Sequence, residues 1–211
     1  MSWLSPLWRR GQGDERSLEA LVAGRFVAVD LETTGLDPRR DTIVEVAAIP
    51  FEAGQPRPGY VTLVNPGRAI PPEAARIHGL TDAAVADAPA LDRMLRELDA
   101  VCGQEVLVGH GLSFDLAVLD RERRARGLPR VANPTLDTRL LAAALHPDWP
   151  DYGLEAAATH AGIGVLGRHT AEGDALATAG LLMFLLEEAQ ARGLRTLSEL
   201  IWLQETATHR L

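Results

Sequence analysis

Residues 25–35 read RFVAVDLETTG, an apolar run that closes on two acids, two threonines and a glycine. The β-branched Val27 and Val29 favour an extended chain, in which side chains two apart share a face. Asp30 and Glu32 therefore project together, while Val27, Val29 and Leu31 face the other way. Adjacent carboxylates repel each other. Such a pair at a strand end is either a solvated acidic tip or a seat for a divalent cation, and hard oxygen ligands suit Mg2+ or Mn2+.

Outward from this stretch, residues 42–52 (TIVEVAAIPFE) read as a second strand and residues 59–64 as a third. Their short spacing predicts an antiparallel meander. Residues 17–23 form a short helix ended by Gly24. Later segments are mostly helical: 89–101, with Leu91, Leu95 and Leu98 at helical spacing, then 112–126, 136–145, 154–161 and 170–191, with a short strand over 105–108. A meander followed by alternating strands and helices predicts an α/β domain with a mixed central sheet, three antiparallel strands plus parallel ones, flanked by helices. The expected boundaries are an N-terminal extension over 1–24, a core domain over 25–190 and a C-terminal helical segment over 191–211.

Composition removes several function classes. The 211 residues with 46% hydrophobic content fit one core. All 21 basic residues are arginine, so neither a phosphate-loop lysine nor a Schiff-base lysine exists. One cysteine, Cys102, excludes an intramolecular disulfide and a cysteine-cluster zinc site. A net charge of −8 argues against gripping duplex DNA by a broad basic face, though metals in a site supply positive charge locally. The twin arginines Arg9 and Arg10 precede no apolar stretch, and the longest apolar run, 175–186, is too short for a bilayer, so the expectation is a cytoplasmic protein with no membrane association. Trp3, Leu4, Leu7 and Trp8, and the apolar residues of 194–203, either dock a partner or pack on their own domain.

Two further acids fall beside core-facing helix stripes. Asp115 lies next to Leu112, Leu116 and Leu119, and Asp174 shares a stripe with Ala177, Thr178, Leu181 and Leu185. A carboxylate facing a core is costly unless it is paired or coordinates a metal. No arginine follows either acid at a neutralising spacing, so convergence of Asp30, Glu32, Asp115 and Asp174 around cations is the simpler arrangement. Two ions roughly 4 Å apart suit in-line displacement at phosphorus. His169, five residues before Asp174, is placed to take the proton of the attacking water.

These residues resemble the DEDDh 3′-5′ exonucleases of the ribonuclease H-like fold, with a pattern similar to the proofreading epsilon subunit of bacterial DNA polymerase III. The motifs stand here as VDLETTGL with Asp30 and Glu32, GHGLSFDLAVLD with Asp115, and HTAEGDA with His169 and Asp174. The strand IVEVAAI, the loop RIHGLTDAAV and the stretch TLDTRLLAAALHP also match, over about residues 25–190. The resemblance implies that Asp30 bridges two Mg2+ (or Mn2+) ions, that Glu32 and Asp174 complete one site, that Asp115 supports the other, and that His169 is the general base. It implies substrate contacts from Thr33, Thr34, His78 and Phe114, although Phe114 reads equally as a core residue at a helix start. The implied substrate is the 3′ end of single-stranded DNA, with short RNA and a non-catalytic nucleic-acid-binding domain as alternatives. A DNA polymerase or another repair protein is the implied partner. Gly111 follows His110 where the family usually carries asparagine.

Overall fold

The computed structural model describes residues 16–208, so the tryptophan-containing start lies outside the described residues. In chain order the elements are α1 (Leu18–Ala23), β1 (Arg25–Thr33), β2 (Ile43–Glu52), β3 (Gln55–Pro56), β4 (Tyr60–Leu63), α2 (Pro72–His78), α3 (Asp82–Val85), α4 (Leu91–Cys102), β5 (Val106–Gly109), α5 (Ser113–Ala125), β6 (Thr135–Asp137), α6 (Thr138–Leu145), α7 (Leu154–His160), α8 (Ala171–Ala191) and α9 (Leu197–Ala207). Strands form one sheet in the order β3-β2-β1-β5-β6, with β4 paired to β2. β1, β2 and β4 are antiparallel neighbours, as the meander predicts, whereas β1–β5 and β5–β6 are parallel.

Alternation along β1 divides the core. Phe26 and Ala28 join a cluster with α6, α8 and α9, including Leu141, Leu181 and Leu200. Val27, Val29 and Leu31 join a second cluster with Met94 and Leu95 of α4 and Val118 and Leu119 of α5. Full burial of each such side chain stabilises the fold by roughly 1.5–3 kcal/mol. α8 is apolar on most of its circumference and carries alanines at 175, 177 and 179, all buried, which lets it lie close across the sheet. Among the described residues no helix is long and apolar enough to cross a membrane.

Two local expectations need correction, and one of two alternatives is decided. The helix expected from residue 136 begins at Thr138, because Leu136 sits fully buried in a parallel ladder opposite Val108 and Asp137 is the helix cap. Three residues are too few for a periodic signal. The stretch RIHGLTDAAV, read as loop, lies partly in α2 and α3, whose Ala74 and Val85 close a small cluster with Val44 and Ile70. The C-terminal segment packs on its own domain: Leu197 and Leu200 are fully buried, and Gln204 pairs with the β6 backbone through Asp137 N–H (2.9 Å) and Thr135 C=O (3.0 Å).

Candidate active site

The sheet opens where two acids stand. β5 accompanies β1 only from Phe26 to Ala28, then ends at Gly109 and turns into α5. Asp30 is thus two residues beyond the parallel ladder, flanked on one side by β2 and on the other by the start of α5. A register shift between Glu32 and Thr33 ends the pairing with β2 at that point. Asp115 and Asp174 occupy the first turns of α5 and α8. Negative charge is favourable at a helix start, where backbone N–H groups are unpaired.

One carboxylate oxygen each from Asp30, Glu32 and Asp174 lies within 4.8 Å of the others. Asp115 is not part of that group, but it is buried and close enough to Asp30 to raise its pKa. Burial pushes Asp30 well above the usual carboxylate range, with the charges of Asp115, Asp174 and Glu32 adding to the rise. Glu32 is pushed up to about 7 by burial, then by Asp174 and Glu45. Burial likewise takes Asp115 to about 8, with Asp137 and Glu32 contributing and backbone contacts at Asp115 and Leu31 opposing. Oδ1 of Asp174 is buried without a hydrogen-bond partner. Three clustered carboxylates, one of them with a buried oxygen that has no hydrogen-bond partner, are the donor set a hard divalent cation takes. The residues therefore fit a hard divalent cation.

An arginine does reach this cluster, contrary to the expectation from spacing. Arg168 Nη1 pairs with Asp174 Oδ2, because the chain doubles back between them: Thr170 Oγ1 donates to Gly167 C=O (2.7 Å) and accepts from Gly173 N–H (3.1 Å). Spacing rules for helices do not apply across such a turn. Arg168 lowers the pKa of Asp30, Glu32 and Asp174, yet all three stay raised. One guanidinium does not neutralise four acids.

His169 is exposed and holds φ 61°, one of two non-glycine residues with positive φ among the described residues. That conformation costs about 1–2 kcal/mol. It aims the His169 N–H at the Asp174 carboxylate, where it helps to lower the pKa that burial raises. The ring is left facing solvent beside the acids. The α8 start that carries both residues is fixed a second time, since Glu45 Oε2 on β2 accepts from Ala171 N–H at 2.9 Å. A Cβ on Gly173 would stand 2.1 Å from the Gly167 oxygen, so only glycine allows this loop to lie against the helix.

A cleft of about 580 Å³ adjoins the acids, lined by Glu32, Thr33, Thr34, Leu36, Ile77 and His78 among others. Thr33 and His78 lie in it, but their polar atoms are partly committed: Thr33 Oγ1 donates to Gly35 C=O (2.6 Å), and His78 Nδ1 accepts from Leu80 N–H (3.0 Å). Thr34 Oγ1 is fully used, donating to Asp41 (3.0 Å) and accepting from Thr42 N–H (3.1 Å). His78 Nε2 is buried without a partner in the same wall. Phe114 is half-buried, one part packed against the core and the other facing out.

Three supporting residues escaped the sequence. Glu45 sits in a strand with no motif of its own, and Arg168 precedes Asp174 in a loop, where helix spacing carries no signal. Asp137 accepts from Gly111 and Leu112 N–H groups (2.9 Å each), tying the entry of α5 to the cap of α6. His110 is structural: its ring nitrogens bond Thr138 Oγ1 (2.9 Å) and Tyr152 C=O (2.8 Å), and burial lowers its pKa to about 4.

Comparison with known proteins agrees with this geometry. The exonuclease family model RNase_T matches residues 27–182. A DNA polymerase III subunit epsilon-like protein of Rhodobacter capsulatus is 40% identical over 193 residues, 88% of this chain, which spans only 27% of that protein. The DNA polymerase III subunit epsilon of Aquifex aeolicus is 32% identical over 168 residues, 80% of this chain and 83% of its own length. Exonuclease X, solved in complex with 5′ overhanging duplex DNA, superposes with a TM-score of 0.67 at 29% identity, covering 85% of this chain and 98% of its own. A mixed sheet with its acids at the mouth between β1 and β5, matched by that family over most of its length, makes this chain a member of the exonuclease family.

Proposed function

We propose that the chain is a divalent-cation-dependent 3′-5′ exonuclease that releases nucleoside 5′-monophosphates from single-stranded DNA. The observation that carries this reading is the convergence of Asp30, Glu32 and Asp174 oxygens within 4.8 Å, with buried Asp115 beside them. Two cations held there supply Lewis-acid polarisation of the phosphate and a bound water of lowered pKa. Asp30, Glu32 and Asp174 would hold such a cation directly, and Asp115 would add its charge beside them.

His169 takes the proton of the attacking water. Its ring is exposed and follows directly on Arg168, whose guanidinium holds Asp174 in place, and an imidazole in that position can act as a general base. Phe114 and the cleft wall at Thr33, Thr34 and His78 hold the terminal nucleotides, the half-exposed ring stacking on a base without regard to sequence. The two threonines act through the loop shape they fix. The epsilon subunit of Aquifex aeolicus suggests a polymerase partner, with another repair protein as the alternative.

Digestion of matched 5′-labelled single-stranded DNA, duplex DNA and RNA in Mg2+ tests the reading. The expected result is a ladder of shortened products, fastest on single-stranded DNA and lost in Asp174→Ala. Faster cleavage of RNA would make the chain an exoribonuclease. A protein that leaves all three intact in Mg2+ and in Mn2+ is a binding domain, not an enzyme.

A further inference from the structure

A second groove, of about 740 Å³, runs along the outer face of α5, lined by Pro38, Arg39, Ser113, Arg121, Arg124 and Arg130 among others. Ser113, Asp120, Arg121 and Arg124 share one stripe of α5, as positions i, i+7, i+8 and i+11 do. On a chain of net charge −8, this lining gathers four guanidinium groups and the carboxylate of Asp120; Arg121 is paired with Glu122 (2.5 Å), which leaves Arg39, Arg124 and Arg130 to set the charge of the groove. The Asp120 carboxylate is itself engaged, accepting from Val131 N–H at 3.0 Å. Its contact with Arg130 is long, 4.0 Å, and leaves that arginine side chain 68% exposed.

The groove shares a wall with the cleft beside the acids. Arg121 donates to the carbonyls of Pro38 (2.7 Å) and Asp41, pinning residues 34–42 onto α5. Leu36, Asp37 and Asp41 line the cleft on one side of that segment, and Pro38 and Arg39 line the groove on the other. Ser113 and Asp115 both belong to the first turn of α5, although they face opposite sides of the helix, so the groove starts at the end of α5 that carries the acid. Arg124 lies 11 residues beyond Ser113, about 16 Å at a helical rise of about 1.5 Å per residue. Arg39, Arg124 and Arg130 are exposed along this path.

We propose that this groove binds the phosphodiester backbone of the substrate strand upstream of its 3′ end, with Arg39, Arg124 and Arg130 contacting phosphates. Which strand occupies it rests on the exonuclease reading above; that it binds a nucleic-acid backbone rests on the groove. Guanidinium groups present several donors to phosphate oxygens and cannot lose their charge. A stacked strand advances about 3.4 Å per nucleotide, so Arg124 is reached about five nucleotides from the end. Trimers fall short of it.

Fluorescence anisotropy in EDTA, with 5′-fluorescein-labelled dT12, dT3 and rU12, tests the proposal on the wild type and on Arg124→Glu/Arg130→Glu. The double variant is expected to bind dT12 and rU12 roughly tenfold more weakly, with a slope of log K against log salt shallower by about 1.4 for two lost single-strand phosphate contacts. Its dT3 binding is unchanged. Arg39→Glu, on the opposite wall, weakens dT12 binding in the same direction and guards against a local folding defect. Equal affinity and salt slope in wild type and both variants, or a loss confined to DNA or to RNA, overturns the proposal. Digestion of dT12 in Mg2+ by the wild type is scored separately. A groove effect without digestion removes the exonuclease reading and keeps the groove; digestion without a groove effect does the reverse.

Discussion

Glu45 on β2 accepts a 2.9 Å hydrogen bond from the backbone N–H of Ala171, the first residue of α8. Through it the strand next to Asp30 and Glu32 sets the position of the helix that carries Asp174. Glu45→Ala leaves that N–H unpaired, which costs about 1 kcal/mol as for a lost helix cap. The melting temperature is expected to fall by a few degrees, while kcat falls about tenfold or more because the reacting groups are displaced. Glu45→Gln, which keeps an acceptor oxygen, recovers most of the loss. Equal kcat in all three proteins would mean that the contact does not position the site.

Arg168 lowers the pKa of Asp30, Glu32 and Asp174. Removing its charge raises them further, so more acid is protonated at a given pH. In Arg168→Gln the acidic limb of the kcat/KM profile therefore moves to higher pH. A limb that stays in place or moves to lower pH contradicts this role.

Stability of the cation-free protein should depend on pH in a defined direction. A carboxyl whose folded pKa exceeds its unfolded value binds protons more tightly when folded, so its contribution is complete below the unfolded value and lost as pH rises through the folded one. With Glu32 raised to about 7 and Asp115 to about 8, the loss is spread from the ordinary carboxylate range up to about pH 8, and its upper part falls between pH 6.5 and 8. Below pH 6.5 the imidazoles of His78, His110 and His146, whose pKa values are lowered by burial, act with the opposite sign. Calorimetric melting in EDTA is expected to shift down between pH 6.5 and 8, and addition of Mg2+ to abolish the shift. A flat or rising curve in EDTA would contradict the raised carboxyl values.

Gly111 holds φ 74°, and a Cβ there meets nothing within 4 Å. Asparagine is among the residues that tolerate this region, so the family's usual asparagine and this glycine suit the same turn. Gly111→Asn is expected to keep stability within about 1 kcal/mol, whereas Gly111→Val costs about 1–2 kcal/mol or more. Gly173→Ala is different in kind, since its methyl group meets the Gly167 carbonyl. It should lower kcat more than stability by displacing the loop that carries His169, as denaturant titration beside a rate assay would show.

Much of the fold was legible because β1, β2 and α8 are long and apolar enough for their periods to show. The three-residue β6 and the four-residue α3 were not, because burial of Leu136 and Val85 depends on neighbours distant in the chain. The acids were found by their chemistry: a carboxylate beside a leucine stripe asks for a reason. Glu45 and Arg168 could not be found in that way. Glu45 alternates with buried valines as any half-exposed strand residue does, and Arg168 reaches Asp174 only through a turn closed by Thr170 and Gly173. The hydroxyls of Thr33 and Thr34 carry the same lesson, for their partners Gly35 and Asp41 become visible only when the loop is folded.

Titration of Mn2+ into the cation-free protein, followed by calorimetry and by the electron paramagnetic resonance of free Mn2+, tests the cation site most directly. Two weak sites are expected in the wild type, with binding abolished in Asp30→Asn and reduced in Asp174→Asn while both variants keep the wild-type circular dichroism spectrum. Wild-type protein that takes up no Mn2+ at millimolar concentration, or Asp30→Asn that binds as the wild type does, would contradict the assignment of these carboxylates to a metal-binding active site.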